Sequence, residues 1–124
     1  MQFTRLLLGA LKQNATINRR GHLFGVIDRS TFSSAMLNAA ELQLETQAIL
    51  VGESTGGKPN GYGEVRNFTL PNVGIQIGYS TKYIESNPEL GDALALDPDL
   101  AVAYSVQDYL AGHDAVLEAI LAYE

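Results

Sequence analysis

The sequence of 124 residues contains no cysteine and no tryptophan, and only four prolines and two histidines. Without cysteine there is no disulfide framework, no thiolate ligand and no thiol nucleophile. Two histidines alone leave a zinc site short of its usual ligands. No apolar run reaches the roughly 18 residues that a membrane-spanning helix needs. Positive charge is scarce: eight Lys and Arg stand against fourteen Asp and Glu, for a net charge of −6. That balance argues against a nucleic-acid partner, because such binding rests on neutralising phosphates. No metal and no cofactor is expected. What remains is 46% hydrophobic and 18% charged residues, a globular composition. The length fits one domain, residues 1–124, which buries roughly two thirds of its unfolded surface and needs no staple to fold.

Hydrophobic periodicity predicts an α/β chain. Residues 1–11 hold only a short apolar run, Leu6-Leu7-Leu8, ahead of Lys12. A secretory signal carries its charge first and a longer apolar core, so no signal peptide is expected and the location reads as cytoplasmic. Phe3, Leu7 and Leu11 recur at i, i+4 and i+8, the spacing of a buried helical stripe. A helix beginning at the second residue without a cap reads as a chain that starts in mid-domain. After a polar linker at 14–21, residues 22–28 form a short β-rich apolar run, read as a buried parallel strand. Helix formers at 35–42 and a second apolar run at 48–52 complete a βαβ unit. Residues 53–63 are glycine-rich and read as a loop. A hairpin follows, with strands on both sides of Pro71-Asn72. Ile75, Ile77 and Tyr79 alternate with polar or small residues, predicting one buried face. Residues 83–96 read as irregular. Ser105 and Asp108 have capping-box spacing. The helix they open breaks at Gly112 and resumes at Asp114, with Val116, Leu117, Ile120 and Leu121 as its apolar stripe.

Chemistry in α/β folds gathers at the carboxyl ends of parallel strands. Two segments qualify. The first is the turn Asp28-Arg29-Ser30-Thr31-Phe32-Ser33-Ser34-Ala35, rich in hydroxyls and leading into a helix N-terminus. Free N–H groups and the helix dipole there favour a developing oxyanion. The second is the glycine-rich loop with one lysine, Lys58. A serine needs a base, and a dehydrated lysine can serve. A phosphate-loop reading of Gly56-Gly57-Lys58 fails, because Pro59 replaces the required Ser or Thr and no helix follows. His22 and His113 lack metal-ligand spacing and read as structural or solvent-facing. The sequons Asn14-Ala15-Thr16 and Asn67-Phe68-Thr69 carry no weight without a signal peptide.

The run Leu23-Phe24-Gly25-Val26-Ile27-Asp28-Arg29, then Thr31-Phe32-Ser33-Ser34-Ala35, then Ile49-Leu50-Val51-Gly52-Glu53-Ser54-Thr55-Gly56-Gly57-Lys58, resembles the C-terminal processing (tail-specific) serine peptidases. Those enzymes place a Ser–Lys dyad on a crotonase-like α/β core. The resemblance covers residues 21–64, and Asp97-Pro98-Asp99 with Val102 looks like the family's late Pro-Asp segment. It implies that Ser33 is the nucleophile, that Lys58 is its base, and that the Ser34 N–H is an oxyanion donor. Ser33 and Lys58 are 25 residues apart, matching the family's separation.

The departures are specific. Many members carry a Gln or Glu four residues after the lysine to orient it; Tyr62 stands there, with Glu64 as a substitute at different spacing. The family's Gly-Gly oxyanion loop, the N-terminal half of its sheet and its PDZ-like module would all precede Met1. The resemblance therefore implies a truncated catalytic core: a vestigial or split peptidase, feeble as an isolated chain. The alternatives are a non-catalytic self-associating module and a hydrolase completed by oligomerisation. The implied partners are a polypeptide substrate and a second copy of the chain. A homodimer is the simplest arrangement, because an uncovered strand at 23–28 and an apolar first helix both need cover.

Overall fold

The computed structural model describes residues 2–123, and the side chains of residues 5–123. The order is α1 (Gln2–Gln13), β1 (Phe24–Ile27), α2 (Ser34–Glu45), β2 (Ile49–Gly52), β3 (Asn60–Thr69), β4 (Gln76–Glu85), a 3₁₀ turn at Pro88–Leu90, β5 (Leu100–Ala101), α3 (Val106–Ala111) and α4 (Ala115–Leu121). The fold is mixed α/β, with one parallel and one antiparallel sheet.

The parallel sheet has the order β1-β2-β5. Phe24 pairs with Ile49 and Ile27 with Gly52, while Gly52 also pairs with Ala101. The expected βαβ unit is present. The central strand β2 is apolar throughout because it is buried on both faces. Leu50 turns to one side, into a cluster with Ile27, Ala39, Ala40 and Leu96 beneath α2. Ile49 and Val51 turn to the other side and pack with Val116 of α4. Phe24 meets Tyr123 edge-on at 5.5 Å on that second side. β1 and β2 approach so closely that Gly52 is obligatory: at φ 122° its missing Cβ would lie 2.2 Å from the Ile27 carbonyl oxygen.

α1 packs on α2, tied by an ion pair between Lys12 and Glu45 at 3.1 Å. The expected stripe through Leu7 is out of phase. Leu8 is the buried residue, whereas Leu6 and Leu7 are 72% and 61% exposed. α2 covers only one side of α1, and that side runs through Leu8. Phe3 lies outside the described side chains. At the other end, Ser105 and Asp108 form the expected capping box, and Gly112 closes α3 in a left-handed conformation. Asp114 caps α4. Of the expected stripe on α4, Val116 is buried, but Leu117 and Leu121 are exposed because the sheet beneath is only three strands wide.

The hairpin departs most from expectation. Each strand has ten residues, so β3 begins inside the segment read as loop and β4 runs on to Glu85. Alternation does divide the ribbon into two faces. One carries Tyr62 opposite Tyr83, Arg66 opposite Tyr79 and Phe68 opposite Ile77, with Leu70 and Ile75 hydrogen-bonded near the tip. The other carries small and polar groups around Val65, Asn67 and Gly78. The expected burial of Ile75, Ile77 and Tyr79 does not occur: they are 55%, 36% and 48% exposed. The pattern is amphipathic as read, but beyond the hairpin's base nothing among the described residues covers its apolar side.

Candidate functional site

Two loops at the carboxyl ends of β1 and β2 build the site. The first begins at Asp28. Its Oδ1 accepts from the Ser30 hydroxyl at 2.6 Å, the Ser30 N–H at 2.8 Å and the Thr31 N–H at 3.0 Å. The Asp28 N–H donates to Thr31 Oγ1 at 3.0 Å. The Ser30 hydroxyl above all, opposed by burial and reinforced by the Ser30 and Thr31 backbone donors, holds the Asp28 carboxyl below its ordinary range. This closed turn delivers the chain to Ser33, which adopts φ 55° and ψ −124° at the N-cap of α2. A non-glycine residue in such a conformation costs on the order of 1–3 kcal/mol. An ordinary N-cap serine is extended and bonds the helix N-terminus through its side chain. Ser33 does neither: its hydroxyl makes no capping bond and is left free. The Ser34 N–H follows it in the first turn of α2, where donors have no intrahelical partner.

The second loop is clamped to the first. The Glu53 N–H donates to the Ile27 carbonyl at 3.0 Å, and the Gly56 N–H to the Thr31 carbonyl at 3.1 Å. Arg29 and Glu53 pair at 2.8 Å. A Cβ on Gly56 would lie 2.2 Å from the Arg29 carbonyl oxygen, so only glycine permits this approach. Thr55 is buried and fastens the loop to the chain near Leu96. Its N–H donates to the Leu96 carbonyl at 3.0 Å, and its Oγ1 accepts from the Leu96 N–H at 2.9 Å. Asp97 accepts from the Ser54 hydroxyl at 2.6 Å, and Asp99 from the Leu50 N–H at 2.8 Å. The acidic Pro-Asp segment thus locks β2 and the loop after it.

Lys58 sits between two anchors. Gly57 lies against the Phe32 ring, where a Cβ would come within 2.9 Å. Pro59 is fully buried. Buried Asn60 donates to the Asn87 and Gly91 carbonyls at 2.8 and 3.0 Å and accepts from the Ser86 and Asn87 N–H groups at 3.0 and 3.1 Å. The backbone at Lys58 is therefore held while its side chain projects into solvent.

Ser33, Lys58, Tyr62 and Glu64 all line one open cleft of about 650 Å³ between α2 and the polar face of the hairpin. Phe32, Met36, Leu37, Val65 and Ile84 supply its apolar walls. Neither candidate for orienting the lysine engages it. Tyr62 stacks edge-on against Tyr83 at 5.2 Å. Glu64, itself at φ 52°, pairs with Lys82 at 3.5 Å, an exposed contact. Lys58 has no ion-pair partner among the described residues. A second cavity, of about 610 Å³, lies on the α4 side and is floored by Val26, Val102 and Val116. Asp28, Thr55 and Asn60, which position both loops, were not singled out as site residues by sequence. The Asp-x-Ser-Thr turn signature was the one available signal.

His113 pairs with Asp108 at 3.1 Å and Glu118 at 2.5 Å at the surface. Among the described residues no cluster of three or more His, Asp or Glu stands ready to hold a metal. No helix among them is long and apolar enough to cross a membrane.

No family model and no curated protein matches the sequence. Among solved structures, the crystal structure of a "putative peptidase" from Parabacteroides merdae superposes with a TM-score of 0.57. The two are 24% identical, over 79% of this chain and 30% of that one. The likeness is one of fold: a mixed α/β arrangement shared with a structure named as a peptidase, of which this chain spans under a third.

Proposed function

We propose that the chain carries the nucleophile–base half of a Ser–Lys serine peptidase site, of the C-terminal processing type, on part of a crotonase-like core. Ser33 is the nucleophile and Lys58 the base. The observation that carries this reading is Ser33 itself: strained, uncommitted to capping, and set in the same cleft as Lys58. Strain of this kind accumulates where a side chain has to be presented. The peptidase name on a structure of the same fold supports the reaction class.

In this reading the Ser33 Oγ attacks a peptide carbonyl carbon while its proton passes to the neutral Lys58 amine. The Ser34 N–H receives the developing oxyanion. Lys58 then hands the proton to the leaving amine, and water releases the acyl group from Ser33. Two requirements fall outside this half-site. A lysine acts as a base only when dehydrated, and Lys58 is exposed, so whatever covers the cleft has to dehydrate it. A single oxyanion donor leaves the rate about 10²–10³ below that of a complete hole. We therefore assign feeble hydrolysis to the isolated chain, with the second donor coming from another polypeptide segment. Of the two orienting candidates, Tyr62 stacks its ring on Tyr83 on the hairpin's far face, so the role falls to Glu64 once the cleft is covered.

The test is labelling with a fluorophosphonate probe, read by intact mass. Slow labelling lost in both Ser33→Ala and Lys58→Ala supports the dyad. Labelling that survives Ser33→Ala, or none in wild type at any probe concentration, overturns it. The uncovered apolar side of the hairpin favours a second reading, a non-catalytic self-associating module or one completed by a neighbouring subunit. Absence of labelling in a stable oligomer would favour the non-catalytic form of that reading.

A further inference from the structure

We infer that the aromatic face of the β3–β4 hairpin is a self-association surface whose occupant is the same face of a second copy of this chain. A two-stranded ribbon alone is marginal in water and needs a third strand or a packed face to persist. This ribbon has ten residues in each strand and packs on the body of the molecule only at its base. Its two sides differ sharply. The side toward the cleft alternates glycines and polar groups with only Val65 and Ile84 as large apolar residues, and its open space leads to Ser33 and Lys58. The far side holds seven large apolar or aromatic side chains, each between 36% and 77% exposed.

Size and charge select the occupant. If each of those side chains offers about half of what a buried aromatic removes from water, the face supplies roughly 700 Å². That is close to the roughly 800 Å² per partner of a standard stable interface. The chain as a whole carries a net charge of −6, yet this face bears one cation, Arg66, in its middle, while Glu64 is spent on Lys82. A basic or acidic partner finds no matching field there. A second copy finds a near-neutral apolar strip, and Arg66 of each copy finds tyrosine rings to lie on. A face that meets itself closes into a two-fold dimer rather than an open chain. The same contact leaves the polar side, and so the cleft, open. This places the contact on the hairpin rather than on the β1 edge, which is only four residues long.

Sedimentation equilibrium of the full chain at micromolar concentration is expected to give twice the 13.4 kDa monomer mass. Phe68→Glu with Ile77→Glu, on the aromatic face, should weaken the dimer by about 100-fold or more. Asn67→Glu, on the other face of the same strand, should leave it unchanged. Because charged variants can misfold, a second probe uses the absence of native cysteine. Arg66→Cys should be captured as a dimer by a short bis-maleimide cross-linker, and Asn67→Cys should not. A monomeric wild type, equal effects from both faces, or equal cross-linking at 66 and 67 would each overturn the inference. None of these readouts depends on Ser33 or Lys58, so the peptidase reading stands or falls separately.

Discussion

Replacing Ser33 separates a presented nucleophile from a plain helix cap, because the two roles predict opposite orders of stability. An ordinary N-cap serine contributes about 1 kcal/mol through its side chain, so Ser→Ala costs that much and Ser→Gly only a few tenths. Ser33 makes no capping bond, so Ser33→Ala should be neutral within about 0.5 kcal/mol. Its conformation, φ 55° and ψ −124°, costs a residue with a Cβ about 1–3 kcal/mol. Glycine escapes that cost but loses roughly 0.5–1 kcal/mol to the flexibility it adds to the unfolded chain. Ser33→Gly should therefore stabilise by about 1 kcal/mol, equivalent to a rise in Tm of roughly 3–5 °C for a chain of this size. Urea unfolding followed by circular dichroism measures both variants, and an unchanged slope certifies that the midpoint reports stability. A Ser33→Gly variant no more stable than Ser33→Ala would refute the strained-presentation argument.

Other perturbations probe the scaffold. Asn60→Ala removes the partners of one buried and one half-buried N–H group and of two carbonyls, so it should destabilise by about 3 kcal/mol; a loss below ~1 kcal/mol in urea unfolding would show that the hairpin base is not anchored there. The His113 imidazole is held above its ordinary pKa, first by Asp108 and then by Glu118. A raised folded pKa means that its stabilising contribution is fully present below the unfolded value near 6.5 and is lost as pH rises through the folded value. An NMR titration of the imidazole should show the upward shift in wild type and its reduction in Asp108→Asn. An unshifted His113 titration in the wild type would contradict the pairing.

The parallel unit was legible because its signals are local and redundant. The runs at 22–28 and 48–52 are apolar without alternation, and the helix formers between them leave a single reading. The second is buried on both faces, whereas the first, at the sheet edge, leaves Val26 exposed. Ser105, Asp108, Gly112 and Asp114 write their own caps. The hairpin's turn was legible, but its length was not. Gly61 and Gly63 sit in β3 in the place of side chains, so that segment imitates a loop, while the pairing that makes it a strand comes from Ile84 and Lys82 of β4, 23 and 19 residues away. Its exposure was hidden for another reason. Alternation reports that one face is apolar and carries no word on what lies against it. The same limit applies to α1, where Leu6, Leu7 and Leu8 look alike in sequence and only the position of α2 decides which one is buried. At the candidate site, residue types pointed only to the two loops, and it was the family resemblance that implied Ser33 and Lys58. The left-handed φ of Ser33 and the buried anchors Thr55 and Asn60 come from tertiary contacts that no neighbouring residue announces.

The site's parts also differ in how they are held. Ser33 is set by a turn that Asp28 closes, and the loop carrying Lys58 is fastened to that turn at three points: Ile27 to Glu53, Thr31 to Gly56, and Arg29 to Glu53. Two of the three are backbone hydrogen bonds at 3.0–3.1 Å, across an approach that Gly52 and Gly56 alone permit. Backbone clamps of this kind do not depend on a substrate or on a neighbouring subunit, so the relative placement of Ser33 and the Lys58 backbone belongs to this chain alone. The lysine's amine is different: it lies at the end of a flexible side chain in an open cleft, and its environment depends on what covers that cleft. On the Ser–Lys reading proposed above, the chain supplies the positional part of the site and leaves the electrostatic part to its surroundings. Positioning without dehydration yields a serine that is presented but slow, and this is why slow labelling that requires both Ser33 and Lys58, rather than rapid turnover, is the outcome that fits the structure.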